Sequence, residues 1–202
     1  ALHLLGVIAH QVGKHEIAVD LITKALVIKP DYAEAYYDLG LTLQDNRKLK
    51  EALINYNKAL TIKPDYAEAH SNLGNVLKDL GEFDAAVESF NKALAIKPDY
   101  ALAHSNLGNT LKNLGKFDEA VVSYNKALDI KPDYADAYSN LGNALKYLGK
   151  FDEAVESFNK AIVIKPDYAE AHSNLGNVLK DLGRFDEALV SYNNAIVITP
   201  DY

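Results

Sequence analysis

Proline recurs along this chain with a strict period of 34 residues. The only six prolines in 202 residues are Pro30, Pro64, Pro98, Pro132, Pro166 and Pro200. A fixed period of about 20 to 50 residues indicates a repeat architecture, in which neighbouring units stack to bury a continuous core. The frame divides the chain into a partial copy at 1–32 and full copies at 33–66, 67–100, 101–134, 135–168 and 169–202. We therefore expect residues 1–202 to form a single solenoid domain.

One copy contains two amphipathic segments. Between Ala67 and Leu80, apolar residues and glycine recur every three or four positions, which places them on one face of a helix. A second stripe of the same spacing begins at Phe83 and ends before Pro98, which cannot continue a helix. Each copy is thus predicted to be a helical hairpin with its turn at Gly81, and the chain to be all-α.

Two further predictions concern how the helices begin and how they meet. Asp65 and Glu68 have the spacing of a capping box, in which two side chains satisfy free amides at a helix N-terminus. The same spacing recurs in Asp31 with Glu34 and in Asp167 with Glu170. Gly74 lies in mid-helix, where glycine costs about 1 kcal/mol relative to alanine. We expect a neighbouring helix to approach closely at this glycine and at its equivalents.

The repeated pattern resembles the signature of the tetratricopeptide family. The residues that carry the resemblance are Leu73, Gly74, Leu77, Gly81, Phe83, Ala86, Phe90, Ala93 and Pro98. The copies depart from it where His70 or Tyr36 replaces the usual tryptophan and where Arg47 takes the place of a turn glycine. The resemblance implies a right-handed α–α superhelix of six stacked hairpins, with a concave groove lined by the first helix of each. The run Ala-His-Ser-Asn-Leu-Gly-Asn is further similar to the repeat arm of O-linked N-acetylglucosamine transferases and related bacterial proteins.

The groove that this resemblance implies carries three rows of polar side chains. The rows are Asn72, Asn106, Asn140 and Asn174; Asn75, Asn109, Asn143 and Asn177; and Lys78, Lys112, Lys146 and Lys180. Asparagine disfavours helix interiors, and its amide offers the donor and the acceptor that a peptide backbone requires. We predict that the asparagines bind an extended peptide and that the lysines favour its carboxylates. The alternative is that duplication of nearly identical repeats multiplied surface side chains that bind nothing.

Composition and spacing argue against other functions. The net charge of −7 lacks the basic excess of phosphate-binding proteins, so we expect no nucleic acid partner. No apolar run reaches the roughly 18 residues needed to cross a bilayer, so we expect no membrane partner. The chain has no cysteine, which excludes disulfides and is compatible with a cytoplasmic location. The histidines lack the spacing of a metal site and no phosphate-binding glycine loop occurs, so we expect no metal, cofactor or catalytic residue.

We therefore predict a protein-interaction scaffold, not an enzyme, that binds a protein or peptide in its groove. Two alternatives stay open. The absence of methionine indicates a piece of a longer protein, so the chain could be the substrate-recruiting arm of an enzyme such as a glycosyltransferase. The last helix carries Leu189, Tyr192 and Ile196 with no polar helix to cover them, which also allows a structural scaffold that associates end to end.

Overall fold

A computed structural model describes residues 1–200 of the chain. Within these residues there are twelve α-helices and no strand. The helices are α1 (Leu2–Gln11), α2 (His15–Ile28), α3 (Ala33–Asp45), α4 (Leu49–Ile62), α5 (Ala67–Asp79), α6 (Phe83–Ile96), α7 (Ala101–Asn113), α8 (Phe117–Ile130), α9 (Ala135–Tyr147), α10 (Phe151–Ile164), α11 (Ala169–Asp181) and α12 (Phe185–Ile198). The predicted all-α fold of six helical hairpins is confirmed, and the last two residues of the sixth repeat lie outside the described residues. In the described part of the chain, no helix has the length and apolar character that a membrane span requires.

The helices form two compact units, Ala1–Pro98 and Asp99–Tyr202. In the first unit, α2 packs on α3 and α4 on α5, so that each hairpin stacks on the next. In the second unit, α8 packs on α9 and α10 on α11 in the same way. The first helices of neighbouring hairpins also contact each other within each unit, α7 with α9 and α9 with α11 in the second. The prediction of a single domain over residues 1–202 stays a prediction.

Glycine lets the two helices of a hairpin approach each other. A Cβ added to Gly142 on α9 would lie only 2.8 Å from Cζ of Phe158 on α10. A Cβ added at the equivalent glycine of each other full hairpin would lie 2.6 to 2.9 Å from a phenylalanine or tyrosine ring. Phe158 is fully buried there, beside buried alanines such as Ala154 and Ala161. The predicted close approach at the mid-helix glycines is confirmed, and the approaching group is an aromatic ring of the same hairpin.

The helix N-termini differ from the prediction. Tyr66 is the N-cap of α5, and no side-chain hydrogen bond caps the helix. The tyrosine before α3 and the one before α11 occupy the same position, again without a side-chain cap. The predicted capping boxes are therefore wrong, because Asp65 lies one residue before the N-cap and Glu68 is the second residue of the helix instead of the third.

The turns inside the hairpins follow the prediction. Gly81 has a φ of 82°, in the left-handed region that glycine adopts without steric penalty. Arg47 has a φ of 58° at the equivalent position, so it does replace a turn glycine.

Candidate functional site

The twelve predicted groove residues all lie on first helices of hairpins. Asn72, Asn75 and Lys78 lie on α5 of the first unit, and the other nine lie on α7, α9 and α11 of the second. All eight asparagines are half-buried. Because α7, α9 and α11 contact each other in turn, their equivalent residues lie side by side on one surface, which we call the α7/α9/α11 surface. Whether these residues bind a peptide stays a prediction.

A cavity of about 520 Å³ opens on the α7/α9/α11 surface. Its lining consists of Lys112, Asn113, Gly115, Phe117, Asn143, Tyr147, Glu170 and Asn174. Asn174, Asn143 and Lys112 come one from each of the three predicted rows. The rows thus meet around a single concavity of the second unit, and its volume is within the range of roughly 300 to 1,000 Å³ typical of ligand sites.

One wall of this cavity is aromatic. The rings of Phe117 and Tyr147 are stacked, with centroids 4.7 Å apart and planes 9° from parallel. Tyr147 is 70% exposed, so one face of the pair is open to a ligand. Sequence reasoning missed this pair, although a signal was present: Tyr147 stands where the other full repeats have Asp45, Asp79, Asn113 and Asp181.

Lys112 differs from the other half-buried lysines of its row. Lys78 Nζ lies 3.7 Å from a carboxylate oxygen of Asp79, and Lys146 Nζ lies 3.7 Å from one of Asp181. Lys112 Nζ instead donates to Asn140 Oδ1 at 3.4 Å and forms no ion pair within residues 1–200. Burial lowers the pKa of Lys112, and the charge of Glu170 only partly opposes this. Lys112 is therefore a partly desolvated cation without a carboxylate partner.

The row Asn75, Asn109, Asn143 and Asn177 contains two kinds of asparagine. Tyr124 donates its hydroxyl to Asn109 Oδ1 at 2.8 Å, and Tyr192 donates to Asn177 Oδ1 at 2.9 Å. The other two hairpins have phenylalanine at the tyrosine position, and the side chains of Asn75 and Asn143 make no hydrogen bond within the described residues. Asn109 and Asn177 thus have a structural role that sequence reasoning missed, since only the distances reveal it.

An asparagine of the first row is also engaged inside the protein. Asn72 Nδ2 donates to the hydroxyl oxygen of Tyr37 on α3 at 3.0 Å. In the hairpin of α3, Leu41 takes the asparagine position of the second row, and Tyr56 donates to Gln44 Oε1 at 2.8 Å. In the first unit, Asn72 is thus held by a tyrosine of the preceding hairpin, and the equivalent of the second-row asparagine in the hairpin of α3 is apolar.

The histidines have packing and hydrogen-bonding roles. His70 Nε2 and His172 Nε2 each donate to a proline carbonyl at 3.0 Å, Pro64 and Pro166 respectively. The buried His3 contacts a carboxylate oxygen of Asp38 at 2.7 Å through Nε2. Burial nevertheless raises the pKa of Asp38, because desolvation outweighs the favourable effect of His3.

Two histidines of the first hairpin lie closer together than their sequence spacing indicated. The rings of His10 and His15, on α1 and α2, have centroids 5.6 Å apart. Across residues 1–200 there is no group of three or more residues that could hold a metal ion.

Family models of the tetratricopeptide repeat match most of the chain. One described as TPR repeat matches residues 48–81, 74–115, 108–149 and 142–183. Two described as tetratricopeptide repeat match residues 169–202 and 21–54. Comparison with curated proteins gives no significant match.

Several solved structures are similar to this chain. MamA is 27% identical, with a TM-score of 0.75, over 81% of this chain and 95% of that chain. YrrB, described as a TPR protein with an unusual peptide-binding site, is 27% identical with a TM-score of 0.74, over 90% of this chain and 93% of that chain. The pilF protein of Pseudomonas aeruginosa is 21% identical with a TM-score of 0.86, over 100% of this chain and 92% of that chain, and it shares the fold.

Proposed function

Since this chain belongs to the tetratricopeptide repeat family, we propose that it is a protein-interaction scaffold that binds an extended peptide on the α7/α9/α11 surface. The observation that carries the proposal is the cavity in which the amides of Asn143 and Asn174 converge with Lys112. An extended peptide presents N–H and C=O groups along its length, and a carboxamide can pair with both. The description of the similar protein YrrB as having a peptide-binding site supports the same class of ligand here.

The charges around the cavity favour a particular kind of peptide. Lys112 lacks a carboxylate partner, so an acidic side chain or a terminal carboxylate would supply one in a partly desolvated place. Glu170 lines the same cavity and disfavours a second acidic group next to it. The stacked Phe117 and Tyr147 offer an open ring face to an apolar or planar side chain. Binding should weaken as salt concentration rises, because part of it is electrostatic.

Removal of the cavity amides tests the proposal. The probe is the peptide that binds the unaltered chain most tightly from a displayed library of random dodecapeptides. Loss of two amide contacts in the Asn143→Ala, Asn174→Ala double variant should weaken its binding roughly tenfold or more in calorimetry. Asn91→Ala, at an exposed asparagine of α6, is the matched control and should leave affinity unchanged. Equal affinity of the double variant and the control, with helicity intact by circular dichroism, would reject the proposal.

The remaining predicted groove residues stay predictions, as does the similarity to the repeat arm of O-linked N-acetylglucosamine transferases. A free scaffold and the recruiting arm of a larger enzyme would use the same groove residues. The length and composition of the parent open reading frame distinguish them, because an enzyme arm requires a catalytic domain in the same chain. A cytoplasmic location also stays a prediction, which localisation of the tagged parent protein tests.

A second proposed function, end-to-end self-association, is favoured by two exposed apolar faces. On α12, Phe185 is 68% and Leu189 is 60% exposed, whereas their equivalents Phe151 and Val155 on α10 are half-buried where α11 packs on that helix. We call the exposed face of α12 the tail face. It has the same kind of residues that a following hairpin covers elsewhere in the chain.

The complementary face lies on α1. Leu5 is 52% and Ile8 is 55% exposed there, whereas the equivalent Leu39 and Thr42 of α3 are buried beneath α2. We call this surface the head face. Tail and head faces of this type already pack together within the chain, as α2 on α3 and α10 on α11. We propose that a second copy of the chain covers each exposed face.

A further inference from the structure

In the second unit, whether the side chain of a second-row asparagine is hydrogen-bonded inside its hairpin depends on the identity of one aromatic residue, which is buried in the first two hairpins of the unit and half-buried in the third. That residue lies 15 positions further along the chain, on the second helix of the same hairpin. It is tyrosine for Asn109 and Asn177, and each tyrosine donates its hydroxyl to the asparagine. It is Phe158 for Asn143, and Asn143 is the member of this row that lines the cavity.

The chemical reason lies in the hydroxyl group. Tyr124 is fully buried, and burial raises the pKa of its hydroxyl, so the group stays protonated and needs an acceptor. Asn109 Oδ1 supplies that acceptor, which uses one of its lone pairs and fixes the carboxamide against its own hairpin. Phenylalanine has no hydroxyl and therefore needs no acceptor. The carboxamide of Asn143 keeps both its donor and its acceptor and is free to rotate toward a ligand.

We propose that Phe158 is a positioning residue for peptide recognition: because it lacks a hydroxyl, it leaves the Asn143 amide free to pair with both the N–H and the C=O of one residue of an extended peptide, which point to the same side. Tyr124 and Tyr192 restrict the flanking asparagines mainly to donating. The inference rests on the proposed peptide binding by the α7/α9/α11 surface. It adds a rule of specificity, because the peptide needs a free backbone N–H opposite Asn143, and proline or an N-methylated residue at that position is excluded.

The rule has a direct test in the variant Phe158→Tyr. The equivalent sites at Tyr124 and Tyr192 show that the hairpin accommodates the hydroxyl beside a mid-helix glycine. The new hydroxyl should bond to Asn143 Oδ1, which the side-chain amide resonances of Asn143 report by NMR in the absence of any ligand. Affinity for the library-selected dodecapeptide should fall about threefold to tenfold, the effect of one lost hydrogen bond. In the Asn143→Ala background, the same substitution should change nothing further.

N-methylation of the dodecapeptide, one backbone amide at a time, locates the contact. The unaltered chain should lose affinity sharply at one position, and Phe158→Tyr should lose that sensitivity. If the Asn143 resonances shift in Phe158→Tyr while affinity and the N-methylation profile stay as before, the inference is overturned. If the Asn143→Ala, Asn174→Ala double variant also binds the dodecapeptide with unchanged affinity, the proposed function itself is overturned. Failure of the inference and failure of the proposed function are therefore distinguishable.

Tyr124→Phe provides the reverse experiment and covers the case that Phe158→Tyr does not fold. Removing this hydroxyl should make the Asn109 amide resemble that of Asn143. A second N-methyl-sensitive position should then appear in the peptide, with affinity equal to or above that of the unaltered chain. A profile unchanged from that of the unaltered chain would overturn the inference as well.

Discussion

Asn109 and Asn143 occupy equivalent positions, yet they should contribute differently to stability. Asn109→Ala leaves the buried hydroxyl of Tyr124 without its acceptor, which should lower the free energy of unfolding by about 1 to 2 kcal/mol. Asn143→Ala removes no internal hydrogen bond and replaces a poor helix former, so it should be neutral or stabilising by up to about 0.5 kcal/mol. Urea unfolding measures both. Adding Tyr124→Phe to Asn109→Ala should recover most of the loss, and a failure to do so would show that the hydroxyl is not the cause.

Lys112 should lower the stability of the folded chain at neutral pH and lower it less at alkaline pH. Burial lowers its pKa from the model-compound value of 10.5, so the folded chain holds this proton less tightly than the unfolded chain. The cost of burying the charged amine lowers the stability of the folded chain in full below the lowered pKa, and it is relieved as pH rises toward 10.5. Lys112→Met should therefore be more stable than the unaltered chain at pH 7, with a gain that shrinks at alkaline pH. Lys180→Met, at the exposed lysine of the same row, is the control and should show no such trend.

Some residue roles could be read from the sequence and others could not. Arg47 was identified at a glycine position because the 34-residue frame aligns it with Gly81, and its left-handed φ agrees. The sequence did not reveal that the second asparagine row divides into residues bonded to a tyrosine and residues that are not, although the alternation of phenylalanine and tyrosine was visible in it. A pattern assigns a residue to a helix face, whereas a hydrogen bond depends on the distance between two side chains on different helices. The stacking of Tyr147 on Phe117 was missed for the same reason.

The hairpin is the element whose geometry glycine controls, and Gly142 should tolerate no methyl group. Gly142→Ala would place Cβ 2.8 Å from Cζ of Phe158, which is fully buried, so the ring or its neighbours would have to shift. Overpacking of this kind costs about 1 to 3 kcal/mol, and the middle of that range, about 2 kcal/mol, exceeds the gain of about 1 kcal/mol from the better helix former. Urea unfolding should therefore show a net loss. Adding Phe158→Leu, which removes the ring, should make the alanine harmless; a loss of the same size in both backgrounds would contradict the clash.

Helix positions were predictable because proline and glycine mark where helices end, and the apolar stripes span several turns. The predicted helix from Ala67 to Leu80 is observed as Ala67–Asp79. The prediction of the N-caps was wrong because it depends on which single residue precedes the helix, and the Pro-Asp-Tyr link does not determine that residue. Either Asp65 or Tyr66 could precede the helix, and the structure shows the tyrosine there.

At the scale of the molecule, the head face and the tail face are different surfaces, so the proposed contact between two copies would be heterologous. Such contacts extend into open chains unless their rotation closes a ring. We therefore expect the average mass to rise with protein concentration in sedimentation velocity experiments. In the proposed association, Leu5 and Leu189 would be buried against the second copy and the hydrophobic effect would favour the contact, so a charge at either position should abolish it.

The two single variants, Leu5→Glu and Leu189→Glu, allow a sharper test than loss of association. Each should be monomeric alone, because every contact requires one intact head and one intact tail. Leu5→Glu keeps its tail face and Leu189→Glu keeps its head face, so an equimolar mixture should form one contact and stop at a heterodimer. Val163→Glu, at an exposed apolar residue of α10, is the control and should associate like the unaltered chain. A mixture that stays monomeric would contradict head-to-tail packing, and so would a single variant that still associates. Only pairing between unlike faces allows two variants that are each monomeric to associate with one another.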